Sequence, residues 1–358
     1  MKGLVLSGGY GTRLRPLTHT GPKQLIPIAN KPNILYCIED LREAGITNIG
    51  VVLGNVMPEK VQEFLEDGSR FGVKLTYIVQ GEPKGIAHAV NCAKQFIGQD
   101  SFVVYLGDNL LKNGIAAIPE KMMKEKADCV ISLCPVKEPQ RYGIAELSPD
   151  GGTVLRTVEK PREPRSNLAV IGVYAFNPTF FKVYPKLKPS WRNEFEITDA
   201  ISLLIDSGYK VVPYRVEGWW KDTGKPEDIL EANHLILDGI ESLNEGRVEE
   251  GATVVGRVRI GNGSLIMGRS VVRGPSIVGE NCKIGPNAYI GPYTAIGDRC
   301  QIAAAEIDDS IVMEDTTIDV ERKLVRSMIG KGSHILSSNG LLPKGERLVV
   351  GENTTLHL

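Results

Sequence analysis

The sequence lacks paired cysteines, long apolar runs and an excess of charge of either sign. Its six cysteines form no C-x-x-C pair and no metal-site spacing, which predicts reduced cysteines in a cytosolic protein. No apolar run of about 18 residues occurs, and no charged segment precedes a long apolar one at the start, so we expect neither membrane insertion nor secretion. A net charge of −1 without a basic block argues against a nucleic-acid partner.

Two common phosphate-binding signatures are absent as well. The chain contains no G-x-x-x-x-G-K-[ST] P-loop. In its glycine-rich segment, Gly9-x-Gly11-x-x is followed by Leu14, where a dinucleotide-binding fingerprint has Gly or Ala. ATPase and dehydrogenase interpretations therefore lose support.

The same segment nevertheless has the composition of an anion site. A short apolar strand ending at Leu6 runs into three glycines, which let backbone N–H groups approach an anion closely. Arginine and lysine side chains follow and supply the charge that a polyphosphate needs. The cluster consists of Gly8, Gly9, Gly11, Thr12, Arg13, Arg15 and Lys23. A glycine-rich turn with a solvated basic flank requires fewer features, so we predict a polyphosphate site here.

The chain of 358 residues is longer than one core usually supports, so we expect two domains. Residues 1–240 alternate short apolar runs with helical patterns, which predicts an α/β fold with a mostly parallel, Rossmann-like sheet. Strand-like runs are Gly50–Leu53, Leu75–Val79, Phe102–Leu106, Val130–Leu133, Val170–Phe176 and Lys210–Val216. Helix-like stretches are Ile34–Ala44, Pro58–Asp67, Ile86–Phe96, Ile115–Lys126, Thr198–Ser207 and Pro226–Leu237. Ligands of such sheets bind at the carboxyl ends of the strands, where the glycine segment lies.

The hydrophobic period changes to six residues after about residue 246. A branched apolar residue recurs at Val248, Val254, Ile260, Ile266, Val272, Val278, Ile284, Ile290, Ile296 and Ile302. Glycine often follows it and small residues lie between, which is the hexapeptide pattern of a left-handed parallel β-helix. We therefore predict a second domain over residues 247–358, after a polar linker at Asp238–Gly246.

We expect about five coils in this second domain. The phase of the repeat breaks near Glu306 and resumes at Val312, and Val350–Leu356 is predicted to form one more hexad. Cys282 and Cys300 are one coil apart, so they should stack in neighbouring coils without forming a disulfide.

The glycine segment resembles the sugar-1-phosphate nucleotidylyltransferases, whose hallmark is [LA]-x-G-G-x-G-T-R-L-x-P followed by P-K-x-[LM]-x-P. The matching residues are Leu6-Ser7-Gly8-Gly9-Tyr10-Gly11-Thr12-Arg13-Leu14-Arg15-Pro16 and Pro22-Lys23-Gln24-Leu25-Ile26-Pro27. The resemblance covers essentially the whole chain and, through Gln24, Gln80 and the EFEITD segment, points to the long form of the glucose-1-phosphate thymidylyltransferases. It implies transfer of a nucleoside monophosphate from dTTP to glucose 1-phosphate, with release of pyrophosphate.

The resemblance also implies a set of nucleotide-binding residues. These are Leu6, Gly8, Gly9, Gly11, Thr12, Arg13, Gln24, Gln80, Gly85 and Asp108. Gln80 can pair with both an acceptor and a donor on a pyrimidine edge. Mg²⁺ is expected on Asp108 and Asp222, although a turn or cap residue is the alternative for Asp108. His88 is interpreted as a helix-face residue.

The Tyr-Gly-Ile and Glu-Lys-Pro elements of the family imply the sugar-phosphate subsite. It is expected to comprise Tyr142, Gly143, Glu159, Lys160, Ile171 and Glu194. For Glu194 and Glu196, sugar contact and capping of the following helix remain open. Arg13, Lys23 and Lys160 are the expected catalytic residues, because an attacking phosphate needs positioning and charge stabilisation and no protein nucleophile.

Several alternatives remain open at this point. UTP could replace dTTP, because thymine and uracil differ by one methyl group, whereas Gln80 and Gln24 disfavour GTP- and ATP-using relatives. A sugar acyltransferase in the β-helix would need a general base, and residues 248–330 contain no histidine. A catalytically dead scaffold is disfavoured by the intact Gly, Arg, Lys and Asp positions. We expect a homo-oligomer to which the β-helix contributes.

Overall fold

The computed structural model describes residues 1–337, which fall into two compact units. The first unit comprises Met1–Gly11, Thr20–Leu25 and Asn33–Asp222. The second comprises Thr12–His19, Ile26–Pro32 and the chain from Thr223 onward. Two short N-terminal pieces therefore group with the C-terminal part, which no pattern in the sequence indicated. The hexad predicted at Val350–Leu356 lies outside the described residues.

Thirteen strands and eight α-helices precede the repetitive region. The strands are β1 (Lys2–Ser7), β2 (Pro27–Ile28), β3 (Lys31–Pro32), β4 (Asn48–Leu53), β5 (Lys74–Val79), β6 (Phe102–Leu106), β7 (Asn109–Leu111), β8 (Cys129–Pro135), β9 (Gly143–Leu147), β10 (Val154–Glu159), β11 (Leu168–Phe176), β12 (Val211–Arg215) and β13 (Trp220–Asp222). The helices are α1 (Asn33–Glu43), α2 (Pro58–Leu65), α3 (Ile86–Cys92), α4 (Lys94–Ile97), α5 (Ala117–Glu125), α6 (Phe180–Val183), α7 (Ile197–Asp206) and α8 (Pro226–Leu237).

The main sheet of the first unit has the strand order β10-β9-β11-β6-β1-β4-β5, with β8 joining β11 to β12. Strands β6, β1, β4 and β5 run parallel, as the alternation of strand and helix patterns predicted. The continuous apolar sequences of β1, β4 and β6 are buried on both faces, between two clusters of apolar side chains, whereas β5 lies at the edge of the sheet and is partly exposed. The Rossmann-like, mostly parallel sheet is thereby confirmed.

Two differences from the predicted elements have local causes. The helix expected over Ile86–Phe96 is broken at Ala93, whose N–H bonds to the carbonyl of Val90, three residues back. The antiparallel pair β9–β10 was not predicted, because its strands mix polar and apolar residues. Thr157, for instance, is buried between exposed and half-exposed neighbours.

The second unit contains a stack of short parallel strands. They are β14 (Leu243–Asn244), β15 (Arg247–Val248), β16 (Thr253–Val255), β17 (Val258–Ile260), β18 (Leu265–Ile266), β19 (Val271–Arg273), β20 (Ser276–Val278), β21 (Lys283–Ile284), β22 (Tyr289–Ile290), β23 (Thr294–Ile296), β24 (Gln301–Ala303), β25 (Glu306–Asp308), β26 (Ile311–Val312), β27 (Thr317–Asp319), β28 (Lys323–Val325), β29 (Met328–Ile329) and β30 (His334–Leu336). Each strand pairs in parallel with the strand three places later in the chain, so the strands form three sheets. We call these three sheets the strand stack.

The register of the strand stack explains the six-residue period. Ile266 pairs with Ile284, and Ile284 pairs with Ile302, so the recurring apolar residues lie on one another in the core. Partner residues are 18 apart from the pair β15–β18 to the pair β21–β24, as in Lys283↔Gln301. The offset then falls to 17 in Tyr289↔Glu306 and to 16 in Ala295↔Ile311, which accounts for the phase break near Glu306.

Details at the start of the strand stack differ from the prediction. The expected linker Asp238–Gly246 contributes β14, which pairs with β17. Val254, counted among the core positions, is 37% exposed because β16 lies at the edge of its sheet. All six cysteines are free, and Cys282 and Cys300 are buried beside the paired strands β21 and β24. Among the residues described, no helix has both the length and the hydropathy to cross a membrane.

Candidate functional site

The carboxyl ends of β1, β4, β5 and β6 meet at one edge of the main sheet because these strands are parallel. The residues that leave this edge are Gly8 after β1, Gly54 after β4, Gln80 after β5 and Asp108 after β6. Motifs that are distant in the sequence therefore converge where an α/β sheet binds its ligand.

Gly8 is enclosed by three neighbours at this edge. Gln24 donates from Nε2 to the Gly8 carbonyl at 2.9 Å. A Cβ atom on Gly8 would lie 3.1 Å from Oε1 of Gln80, and one on Gly54 would lie 2.9 Å from the Gly8 Cα. Gly9 has a φ of 94°, a conformation that favours glycine. Gln24 therefore hydrogen-bonds the backbone of the loop, and Gln80 and Gly54 approach it closely enough to leave no room for a side chain on Gly8 or Gly54.

Lys23 and Asp108 form an ion pair at the same edge. Their side chains are only 18% and 15% exposed, and the Lys23 ammonium contacts Oδ2 of Asp108. Burial opposes ionisation of Asp108, but the ammonium and the Asn109 amide outweigh it and lower the pKa of the carboxyl. Asp108 is therefore a carboxylate, as a metal ligand must be.

Asn109 orients Asp108, a role that no sequence pattern indicates. Its buried side chain donates from Nδ2 to Oδ1 of Asp108 at 2.9 Å. Its Oδ1 accepts from the indole N–H of Trp220 at 2.6 Å and from the backbone N–H of Gly172 at 3.3 Å. Since both ends of the amide are engaged, its orientation is fixed, and the donor faces the carboxylate.

The antiparallel pairing of β7 with β13 brings the second predicted metal ligand to this place. Asp222 is the register partner of Asn109, so its backbone lies next to that of Asp108. Two carboxylates at one strand edge fit Mg²⁺, which binds through one or two carboxylates together with waters and substrate phosphates. The residues present therefore fit the predicted ion.

The predicted base-binding loop is tied to the segment before α7. Gln80 donates toward the Gly85 carbonyl and contacts Nδ1 of His88, both at 3.3 Å. Gly85 has a φ of 97°, and a Cβ atom there would lie 2.5 Å from the Phe195 carbonyl oxygen. Burial, and secondarily the charge of Lys84, lower the pKa of His88, which favours a neutral ring beside Gln80.

Arg192 is at the centre of the predicted sugar-phosphate subsite. It lies 3.3 Å from Glu159, 2.9 Å from Glu194 and 3.4 Å from Glu196. Lys160 lies 3.5 Å from Oε1 of Glu159. Sequence reasoning missed Arg192, which lies two positions before Glu194 and so just outside the EFEITD segment.

Glu196 occupies the N-cap position of α7 but makes no capping hydrogen bond with its side chain. It accepts instead from the Ser190 hydroxyl at 2.8 Å and faces Arg192. Its pKa is raised by burial and by the negative charges of Glu159 and Glu194, despite the opposing Ser190 and Arg192. The structure thus favours a role within the carboxylate cluster over capping for Glu196.

Two protein-family profiles match this chain. The sequence profile of the nucleotidyl transferase family matches residues 2–239. The chain belongs to the nucleotidyl transferase family. A second profile, the GMPPB C-terminal domain, matches residues 271–357.

Three relatives illustrate what this nucleotidyl transferase is similar to. It is 51% identical, over the whole of both chains, to the low-salt glycan biosynthesis nucleotidyltransferase Agl11 of Haloferax volcanii. It is 41% identical to a glucose-1-phosphate thymidylyltransferase of Streptomyces griseus, across 99% of this chain and 98% of that one. A crystal structure of a Bacillus anthracis glucose-1-phosphate thymidylyltransferase with sucrose matches 69% of this chain and 98% of its own, with a TM-score of 0.63 and 35% identity.

The remaining predicted site residues of this nucleotidyl transferase lie in different settings. Tyr142 contacts the Trp220 ring edge-on, with centroids 5.7 Å apart. Gly143 has no room for a side chain, because a Cβ would lie 2.5 Å from Thr198. Leu6 and Ile171 are buried in β1 and β11. Gly11 is in the first unit, with a φ of 60°.

Thr12 and Arg13 belong to a 3₁₀ turn, Thr12–Leu14, that groups with the second unit. Their expected contacts with phosphate stay predictions. In the first unit, the edge of the sheet offers an oriented carboxylate and an ammonium beside a glycine loop. Such an arrangement can bind a phosphate chain and stabilise charge that develops on it.

Proposed function

We propose that this chain transfers a thymidylyl group from dTTP to glucose 1-phosphate in the presence of Mg²⁺, forming dTDP-glucose and pyrophosphate. The observation that carries the proposal is the meeting of Lys23 and Asp108 beside the Gly8 loop, at the carboxyl edge of the sheet. The names of the relatives from Streptomyces griseus and Bacillus anthracis agree with the thymidylyl donor and the sugar phosphate.

The chemistry is a single displacement at the α-phosphorus. A phosphate oxygen of glucose 1-phosphate forms the new P–O bond while the bond to pyrophosphate breaks, so no protein nucleophile is required. Lys23 is proposed to hold the α-phosphate, Lys160 the sugar phosphate and Arg13 the β- and γ-phosphates. Holding both reactants in line and balancing their charge supplies the rate enhancement.

Asp108 and Asp222 are the proposed Mg²⁺ ligands. When bound, the ion would neutralise charge on the attacked phosphate. Asn109 keeps Oδ1 of Asp108 in one orientation, and Lys23 balances the charge at Oδ2. The protein therefore holds the carboxylate in place before substrate arrives.

Uridylyl transfer is the second candidate. The chain is 37% identical over 247 residues to a UTP–glucose-1-phosphate uridylyltransferase, AglF, of Haloferax volcanii. Gln80 can hydrogen-bond uracil and thymine alike, since the bases differ only by a methyl group. A pocket that contacts one methyl discriminates by roughly 10–200-fold, so UTP is expected to be a slower substrate.

For the second unit, we propose a left-handed parallel β-helix that contributes to a homo-oligomer. The three parallel sheets and the offset of 18 residues between partners support a helical coil. The match to the GMPPB C-terminal domain profile, over residues 271–357, is compatible with a separate C-terminal domain.

A substrate matrix tests the proposed function. The four common nucleoside triphosphates and dTTP are each combined with several sugar 1-phosphates, and pyrophosphate release is measured with Mg²⁺. We expect the highest kcat/KM for dTTP with glucose 1-phosphate. If no combination releases pyrophosphate, the proposed enzymatic activity is refuted.

Asp108→Asn should lower kcat by roughly 10²-fold or more, because it removes a preorganised stabiliser.

A further inference from the structure

One sheet of the strand stack is buried on both faces at its centre. Ile296 and Val312 belong to the apolar core of the strand stack. The side chains of their neighbours Ala295 and Ile311 point to the opposite face of the sheet, yet they are also fully buried. Arg259, in the same row of the sheet, is exposed. A second layer therefore covers the outer face at the centre of this sheet but not at its start.

The hairpin formed by β2 and β3, residues 27–32, lies on this sheet within the second unit. The side-chain amide of Asn30 donates to the carbonyl of Ile296. Ile28 of the hairpin is fully buried. Ala29 and Asn30 both have positive φ, at 48° and 63°, so the tip has a left-handed backbone that tertiary contacts must maintain.

Asn233 of α8 joins the hairpin to the strand stack. Its side chain is completely buried. Oδ1 accepts the backbone N–H of Ala29 at 2.9 Å, and Nδ2 donates to the carbonyl of Tyr293 at 2.9 Å. Because a buried amide has no water to replace these partners, both bonds are needed at once.

The neighbouring residue of α8 fixes the helix to the same corner of the strand stack. His234 stacks on the Tyr293 ring, with centroids 4.2 Å apart and an interplanar angle of 28°, and its Nε2 contacts Asp309. The Tyr293 hydroxyl donates to Asp238 at 3.0 Å. Asn233 is therefore held on a rigid support.

We infer that Asn233 is a positioning residue, which anchors the chain immediately downstream of Lys23 to the strand stack. Ala29 follows Lys23 by six residues, and the hairpin begins at the last proline of the Pro-Lys element. The strand stack thus has a part in setting the catalytic segment, beyond any part in assembly. The consequence for turnover rests on the proposed function, whereas the anchoring itself does not.

The test compares two variants with a matched control in the full-length protein. Asn233→Ala removes both hydrogen bonds. Asn30→Gly removes the bond to Ile296 while glycine tolerates the positive φ, so it serves where Asn233→Ala fails to fold. Asn177→Ala is the control, because Asn177 bonds Asp128 and Thr179 at the opposite end of the sheet from the site.

Two readouts separate anchoring from general destabilisation. Hydrogen–deuterium exchange of the peptide covering residues 26–32 should accelerate in Asn233→Ala and Asn30→Gly, and stay as in the wild type in the control. The kcat for nucleotidyl transfer should fall by about tenfold, with the KM of glucose 1-phosphate within about twofold, because a small misplacement of a reacting group lowers turnover steeply.

The outcomes decide between the alternatives. Unchanged exchange of residues 26–32 in both variants overturns the anchor. If exchange is faster in the variants but kcat equals that of the wild type, the proposed effect on catalysis is overturned. The effect on catalysis is also overturned if Asn177→Ala loses kcat equally, because the loss then reflects general destabilisation. If the wild type transfers no nucleotide with any substrate pair, the proposed function fails, while the exchange experiment still decides the anchor.

Discussion

The side-chain amide of Asn109 donates a hydrogen bond to Asp108 and accepts hydrogen bonds from the Trp220 indole and the Gly172 backbone N–H. Asn109→Ala would release the carboxylate and leave the Trp220 indole N–H and the buried Gly172 N–H without that acceptor. A buried donor left unsatisfied costs about 1–3 kcal/mol. We expect kcat to fall about tenfold or more and the Mg²⁺ concentration at half-maximal rate to rise. Steady-state kinetics under Mg²⁺ titration measures both. Asn113→Ala, which removes an exposed contact to the Glu217 carbonyl, should change neither; equal losses would contradict the orienting role.

Glu196 carries a buried charge whose pKa is raised above its ordinary value, chiefly by burial. A carboxyl that binds its proton more tightly in the folded protein makes the fold progressively less stable as pH rises above the ordinary pKa of the group, and the loss is complete above the folded pKa. Glu196→Gln should therefore raise the melting temperature at pH 7, and the difference should shrink as pH falls toward the ordinary glutamate range. Turnover should drop, because the proposed sugar subsite loses a charge that faces Arg192. Thermal unfolding at several pH values tests the sign; destabilisation at pH 7 would contradict it.

At the scale of elements, Gly54 shows how closely the loops after two parallel strands approach each other. A Cβ on Gly54 would lie 2.9 Å from the Cα of Gly8, which is backbone and has little freedom to move. Gly54→Ala should displace the glycine loop and raise the KM of the nucleotide several-fold or more. Gly21→Ala is the matched control, because no atom lies within 4 Å of its added Cβ. Initial-rate measurements against dTTP compare them; equal KM values would show that the loop tolerates the shift.

The elements that the sequence predicted well are those whose periodicity reflects burial. Strand β6 was predicted residue for residue, since it is continuously apolar, and the ten recurring residues of the six-residue period fall on the ten strands β15 to β24. The pair β9–β10 was missed because half-exposed antiparallel strands mix polar and apolar residues. Arg192 and Asn109 were missed because their roles depend on contacts over long sequence separations, such as Asn109 with Trp220, which no local pattern encodes.

At the scale of the whole molecule, the chain passes back and forth between the two units. Segments Thr12–His19 and Ile26–Pro32 belong to the second unit, yet they interrupt the first. The sequence suggested a simple succession of domains, because neither segment carries a repeat that marks it as a partner of the strand stack. Two units connected in this way are expected to unfold together, since loss of the strand stack removes the support of chain segments on both sides of Lys23.

A cavity in the core of the strand stack provides the test of this coupling. Ile284 is fully buried, and Ile284→Ala should cost about 2–5 kcal/mol. If the units unfold cooperatively, calorimetry will show one transition at a lower temperature, and nucleotidyl transfer will be lost on heating at that same lower temperature. Leu155→Ala, at a side chain that is 52% exposed, is the control and should leave both temperatures near those of the wild type. Two separate transitions, with activity surviving the first, would instead mean that the strand stack unfolds independently of the catalytic sheet.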